Sequence, residues 1–186
     1  FAWLDAAVRR HAEVELGLRA LAALLATLGG ADYPPRLERL ERLYQAVREN
    51  DLGGGRTLGG CQLIPERAGV LVCREPAETA GPVGMTPAKA VLWDGRFRVE
   101  AATSCPAGVT VGALGSDRAA LSPDALRRLR LLPGAVRSSL PALRDPQGLA
   151  EVPILGWARE AARSLGIAQI TFRPSRSLGP LGFTVV

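Results

Sequence analysis

"RTLGGCQLIPERAGVLVCREP", residues 56–76, is where the chain changes period. Upstream, apolar residues recur at three- and four-residue spacing; from Arg56 they alternate. The stretch predicts two strands joined by a turn over Pro65-Glu66-Arg67-Ala68-Gly69. Cys61, Leu63, Leu71 and Cys73 would then share one face, and Gln62, Val72 and Arg74 would point away. Before it, Val14, Leu18, Leu21, Leu25 and Leu28 form an amphipathic stripe that Gly29-Gly30 stops. After Pro34-Pro35 a second stripe, Leu37, Leu40, Leu43, Tyr44 and Val47, runs to Asn50-Asp51. An antiparallel helix pair is expected.

Downstream the alternation persists. A second hairpin over residues 91–101 turns at Asp94-Gly95, a dipeptide suited to tight hairpin loops. Phe97, Val99 and Ala101 form its inner face, and Arg96, Arg98 and Glu100 its outer one. A strand follows over 108–114. Ser122-Pro123-Asp124 is an N-cap with proline at the first helical position, and it opens a basic helix containing Arg127, Arg128 and Arg130. Arg137 lies in a further short helical piece. A third hairpin turns at Asp145-Pro146-Gln147-Gly148, a strand spans 167–173, and the chain ends in an apolar stretch, 182–186. The fold class expected is α+β, with an N-terminal antiparallel helix pair followed by a hairpin-rich mixed domain carrying one or two short basic helices. The Gly53-Gly54-Gly55 run divides it into 1–52, helical, and 56–186, β-rich.

Composition sets bounds on function. The chain has 186 residues, 47% hydrophobic but only 5% aromatic, which suits an aliphatic core. The longest apolar stretch, Leu16 to Leu28, holds Arg19 and is shorter than the roughly 20 residues of a membrane span. Net charge is +5, and of 23 basic residues all but Lys89 are arginine. Guanidinium forks match phosphate oxygens, so an anionic partner is one reading; a GC-rich coding bias is the other. Charge position has to decide between them. Cys61, Cys73 and Cys105 are too few for a disulfide framework and point to a reducing cytoplasm.

Catalytic chemistry is thin. Gly53-Gly54-Gly55-Arg56-Thr57 lacks the lysine of a phosphate loop and opens a strand where such a loop opens a helix, so a linker is expected. His11, the single histidine, has no nucleophile tied to it by sequence context, and no cysteine–histidine spacing suits zinc. The carboxylates Glu75, Glu78, Asp94, Asp117, Asp124 and Asp145 fall in turns and caps. No catalytic residue, metal site or cofactor is expected in this chain.

Five stretches in order, "LRALAALLATLGGADYPPRLERLERL" (18–43), "GRTLGGCQLIPERAGVLVCREP" (55–76), "LWDGRFRV" (92–99), "LPGAVRSSLPALRDPQGLAEVPILGW" (132–157) and "FRPSRSLGPLGFTVV" (172–186), resemble the carboxy-terminal region of the bacterial tRNA(Ile)-lysidine synthetases, in their alphaproteobacterial form. What the resemblance implies is an enzyme whose amino-terminal ATP-pyrophosphatase domain, with a Ser-Gly-Gly-x-Asp-Ser loop not found here, adenylates the wobble cytidine of isoleucine tRNA. Lysine then displaces AMP. ATP and lysine would be substrates of that longer protein, and this part would grip the tRNA, the β-rich region near its acceptor stem. Arg127, Arg128, Arg130 and Arg137 inherit phosphate contacts from the resemblance, and Arg36, Arg39 and Arg42 do so more weakly. The expected partners are isoleucine tRNA and the N-terminal domain of the same protein, with room for a homodimer and none for a membrane. The competing reading is a self-association or interdomain scaffold with no direct RNA contact, its hairpins' apolar faces making the contact.

Overall fold

The computed structural model describes residues 1–5, 13–31, 33–67, 69–165 and 169–176, with the side chains of 163–165 left aside. His11, Ala68 and the apolar end at 182–186 lie outside the described residues. The chain forms two compact units, residues 1–78 with 174–186 and residues 79–173. The division falls after Glu78, so the first hairpin goes with the helix pair, whereas the sequence reading placed the boundary at the Gly53–Gly55 run.

In the first unit β1 (Ala2–Asp5) precedes two helices, α1 (Val14–Gly29) and α2 (Leu37–Glu49), and then β2 (Arg56–Leu58), β3 (Cys61–Glu66) and β4 (Gly69–Arg74). The sheet order is β1-β4-β3-β2, antiparallel throughout. The stripes are buried except at their starts: Leu21, Leu25 and Leu28 of α1, joined by Leu24, and Leu40, Leu43, Tyr44 and Val47 of α2 are buried, whereas Val14 and Leu37 in the first turns are exposed and Leu18 is half-buried. The helices pack on each other, and α1 also packs on β3 and β4.

The register corrects one expectation. Glu66 pairs with Gly69, so the hairpin closes on two residues, and Cys61 lies opposite Arg74, Leu63 opposite Val72, Ile64 opposite Leu71 and Gln62 opposite Cys73. Residues directly opposite share a face, so Cys61 and Cys73 lie on opposite faces of the sheet. The pair cannot be bridged in the folded chain. Cys61 Sγ instead donates to the Leu25 carbonyl at 3.6 Å. Every residue of β4 is buried, which is why alternation failed to report its faces.

The two glycine pairs meet. Gly59 and Gly60 hold φ of 60° and 73° in the two-residue turn between Leu58 and Cys61, a conformation that glycine adopts without penalty. The C-terminal end of α1 rests on that turn so closely that a Cβ on Gly29 would stand 1.9 Å from the Gly59 carbonyl oxygen. Arg74, buried, closes the junction: its Nη1 donates to the carbonyls of Gly29 (2.5 Å) and Gly60 (3.0 Å), and its Nη2 to that of Glu78. The guanidinium thus satisfies a carbonyl that the end of α1 leaves without an intrahelical partner.

The second unit contains β5 (Val83–Gly84), β6 (Ala90–Trp93), β7 (Phe97–Glu100), β8 (Thr110–Ala113), α3 (Pro123–Leu131), β9 (Pro141–Asp145), β10 (Gly148–Val152), β11 (Trp157–Ala158) and β12 (Gln169–Phe172). They form a sheet ordered β11-β10-β9-β8-β5 and another ordered β12-β7-β6. One core joins both: Trp93, Phe97 and Val99 from the smaller sheet pack with Val111, Leu143 and Ala150 from the larger. Phe97 sits between Trp93 and Phe172, ring centroids 5.9 and 5.5 Å away.

The Asp94-Gly95 turn forms as expected, with φ of 57° and 64°, but Arg96 is an extra loop residue because Trp93 pairs with Phe97. Arg96 does not face outward. It is buried, with Nε 2.8 Å and Nη2 2.5 Å from Asp94 Oδ2, while Asp94 Oδ1 accepts from the Ala80 amide at 2.8 Å. The guanidinium also lies 5.1 Å from the Phe97 ring centroid. A buried charge needs such partners, and neither hydrophobic period nor local charge reveals that the loop folds inward.

Candidate nucleic-acid interface

The expected interface begins with the local chemistry of α3. Ser122 Oγ accepts from the Ala125 amide at 3.3 Å and caps the helix, and Pro123 supplies a preset φ at its first position. Ala125 and Leu129 are buried against the unit, which turns the rest of the nine-residue helix toward solvent. Across Pro123–Ser139 four arginines face one carboxylate, Asp124.

The four are not equivalent. Arg127 is exposed and pairs with Asp124 one turn earlier, a surface pair with little hold on either partner. Arg128 and Arg130 are exposed and have no carboxylate partner among the described residues. A Cβ on Gly156, in the turn after Leu155, would come 3.1 Å from Arg128 Nη1, so the guanidinium extends over that glycine. Arg137 is half-buried and committed elsewhere: Nε donates to the Leu132 carbonyl at 2.9 Å and Nη2 to the Arg130 carbonyl at 3.2 Å, closing the C-terminal end of α3. Arg128 and Arg130 also lie in the last helical turn, where a cation complements the helix dipole, so their positions favour the helix as well as an anion.

On α2 the charges balance. The helix holds Arg39, Arg42 and Arg48 against Glu38, Glu41 and Glu49. Arg42 Nη2 contacts Glu38 at 2.9 Å, and Arg48 lies 5.9 Å from the Tyr44 ring centroid. Arg36, at the N-cap, and Arg39 are exposed, with no carboxylate partner among the described residues. The structure therefore brings Arg127, Arg128 and Arg130 together on one short helix of the second unit, and Arg36, Arg39 and Arg42 along one helix of the first. Arg118 was not anticipated: it is exposed and without a carboxylate partner among the described residues, in the turn just before α3. Its signal was only a lone arginine in a polar loop.

Two titratable groups are shifted by burial. Burial pushes the Glu151 carboxyl on β10 up to about 7, and burial also raises the Cys105 thiol. A thiol moved in that direction is less reactive. Among the described residues no group of three or more His, Cys, Asp or Glu side chains is placed to hold a metal ion, and no helix is long and apolar enough to cross a membrane. Exposed guanidiniums on a capped helix can donate bidentately to phosphate oxygens.

No family model matches the chain, and no solved structure matches it. The tRNA(Ile)-lysidine synthase of Caulobacter vibrioides is 36% identical over 135 residues, which cover 69% of this chain and 31% of that protein. The chain thus spans about a third of the length of the curated relative it matches. Identity of that extent carries the resemblance read from the five stretches: over most of its length this chain is similar to a tRNA(Ile)-lysidine synthase, consistent with a carboxy-terminal segment of one.

Proposed function

We propose that this chain is the tRNA-gripping part of a cytoplasmic tRNA(Ile)-lysidine synthetase. An amino-terminal ATP-pyrophosphatase domain would perform the ligation, joining lysine to the wobble cytidine with consumption of ATP. The observation that carries the reading is the exposed α3 face with Arg128 and Arg130, in a chain similar to an enzyme that acts on a tRNA. A-form RNA hides its base edges in a deep major groove, so a stem is held by shape and phosphate contacts. Arginines fixed on a capped helix meet that need, and the acceptor stem is the site we assign to them. Arg127 joins them once phosphate replaces Asp124, whereas Arg137 acts by holding the end of α3. Arg36, Arg39 and Arg42 contribute from α2 and its N-cap through two guanidiniums without carboxylate partners among the described residues and one that shares Glu38.

The test is a titration of the chain with isoleucine tRNA and with an unrelated tRNA at two salt concentrations. Binding at low salt that weakens steeply with added salt is expected. No binding at low salt would refute the reading, and equal binding of both tRNAs would reduce it to a non-specific grip. One observation favours a self-association or interdomain role instead: Leu131, on the same helix, is 84% exposed. Sedimentation of the wild type beside Leu131→Ser separates the two, because only an apolar docking role makes the assembly depend on that side chain.

A further inference from the structure

We propose that the first unit carries a second RNA contact, a groove on α1 that receives one nucleotide of a single-stranded segment. The proposal rests on the reading that the chain binds tRNA, and it concerns residues outside the two arginine clusters. Leu21, Leu24, Leu25 and Leu28 of α1 face the core, and helical spacing sends Ala22, Ala23 and Ala26 to another side, where Ala22 and Ala23 are half-buried, Ala26 is buried, and their small side chains keep the groove low. Pro34 forms a wall, and Arg19 and Arg176 stand at the rim. Thr27 Oγ1 donates to the Arg176 carbonyl at 3.0 Å, which seats that residue beside the helix.

The lining names a ligand chemistry. Among the described residues no carboxylate lines the groove. Arg176 has no carboxylate partner among the described residues, and Arg19 contacts Glu15 in an exposed helix-surface pair. Two guanidiniums beside an apolar floor of methyl groups and a proline ring complement a flat apolar body carrying negative charge. A nucleotide meets the description, with base and ribose against the floor and its phosphates on the arginines. Tyr33, adjacent to Pro34, is 81% exposed and offers the neighbouring base a ring to stack on.

Fluorescence anisotropy of the 186-residue chain with a short labelled single-stranded RNA, an RNA duplex and an acidic peptide tests the groove. Arg176→Glu, Ala23→Trp and Tyr33→Ala should each weaken single-strand binding by roughly tenfold or more, the scale of one lost stacking or charge contact, and leave duplex binding unchanged. Arg176→Ala, which alters only an exposed side chain, decides the matter if Ala23→Trp fails to fold. Absent single-strand binding by the wild type, unchanged binding by the variants, or preference for the acidic peptide would each overturn the proposal. Failure of isoleucine tRNA itself to bind would instead strike the reading on which the proposal rests.

Discussion

Arg74 and the arginines of α3 are the same side chain put to opposite uses. Arg74 lies under the end of α1, its guanidinium spent on the carbonyls of Gly29, Gly60 and Glu78; Arg128 and Arg130 stand in solvent without carboxylate partners among the described residues. Arg96 belongs with Arg74, since Asp94 and the Phe97 ring hold it inside the second unit. A count of basic residues therefore overstates the charge offered to a partner. What matters is whether the surrounding backbone has already used the five donors of each guanidinium.

Substitutions on either side of that contrast should behave differently. Asp94→Asn keeps the left-handed turn that Asn tolerates but leaves Arg96 buried without its countercharge, and should cost the second unit about 3 kcal/mol in urea denaturation. Arg74→Met removes the guanidinium from the Gly29 and Glu78 carbonyls and leaves the Gly60 carbonyl only the Glu75 amide, and should cost the first unit about 2–3 kcal/mol, with tRNA affinity unchanged for the molecules that remain folded. If Arg74→Met left stability intact and lowered tRNA affinity, the division into interior and RNA-facing arginines would be wrong.

On the other side, Arg128→Glu with Arg130→Glu should leave the melting temperature within a few degrees of wild type. It should weaken tRNA binding by at least tenfold, with a salt slope shallower by about 1 to 2. A matching fall in stability would assign these arginines to the helix dipole alone. The smallest effect is expected at Glu151. Its folded pKa is raised from 4.5 to about 7, so the folded state holds the proton more tightly than the unfolded one. Stability is fully present below about pH 4.5, falls as pH rises, and stays reduced above 7. Glu151→Gln should therefore be neutral at pH 4 and stabilise by about 1 kcal/mol at pH 8, half-burial leaving water to carry part of the charge.

Much of this was legible in the residues and some was not. The helix pair, the α3 cap and the Asp94-Gly95 turn each follow from chemistry within a few positions, and all three formed where expected. The first hairpin was placed correctly yet read one residue out of register, because Pro65 and Gly69 suggested a wide turn where Glu66 and Gly69 pair directly. That slip put Cys73 on the wrong face. Strand β1 was missed entirely, since its pairing partner β4 lies more than sixty positions away and four residues carry little pattern. The α3 interface was readable as a basic helix, but Arg137's duty at the helix end was not, because it depends on how the chain turns after Leu132.

The junction at Arg74 has a consequence for how the first unit moves. A helix terminus and a hairpin turn usually fray independently, each with its own opening free energy. Here one guanidinium bonds both, together with the turn at Pro76–Glu78, so none of the three can open without breaking bonds to the same side chain. Amide hydrogens near Gly30, Gly60 and Glu75 should exchange at a common rate, as one cooperative unit. Three stretches that look like separate glycine and proline punctuation are, in the time domain, a single latch.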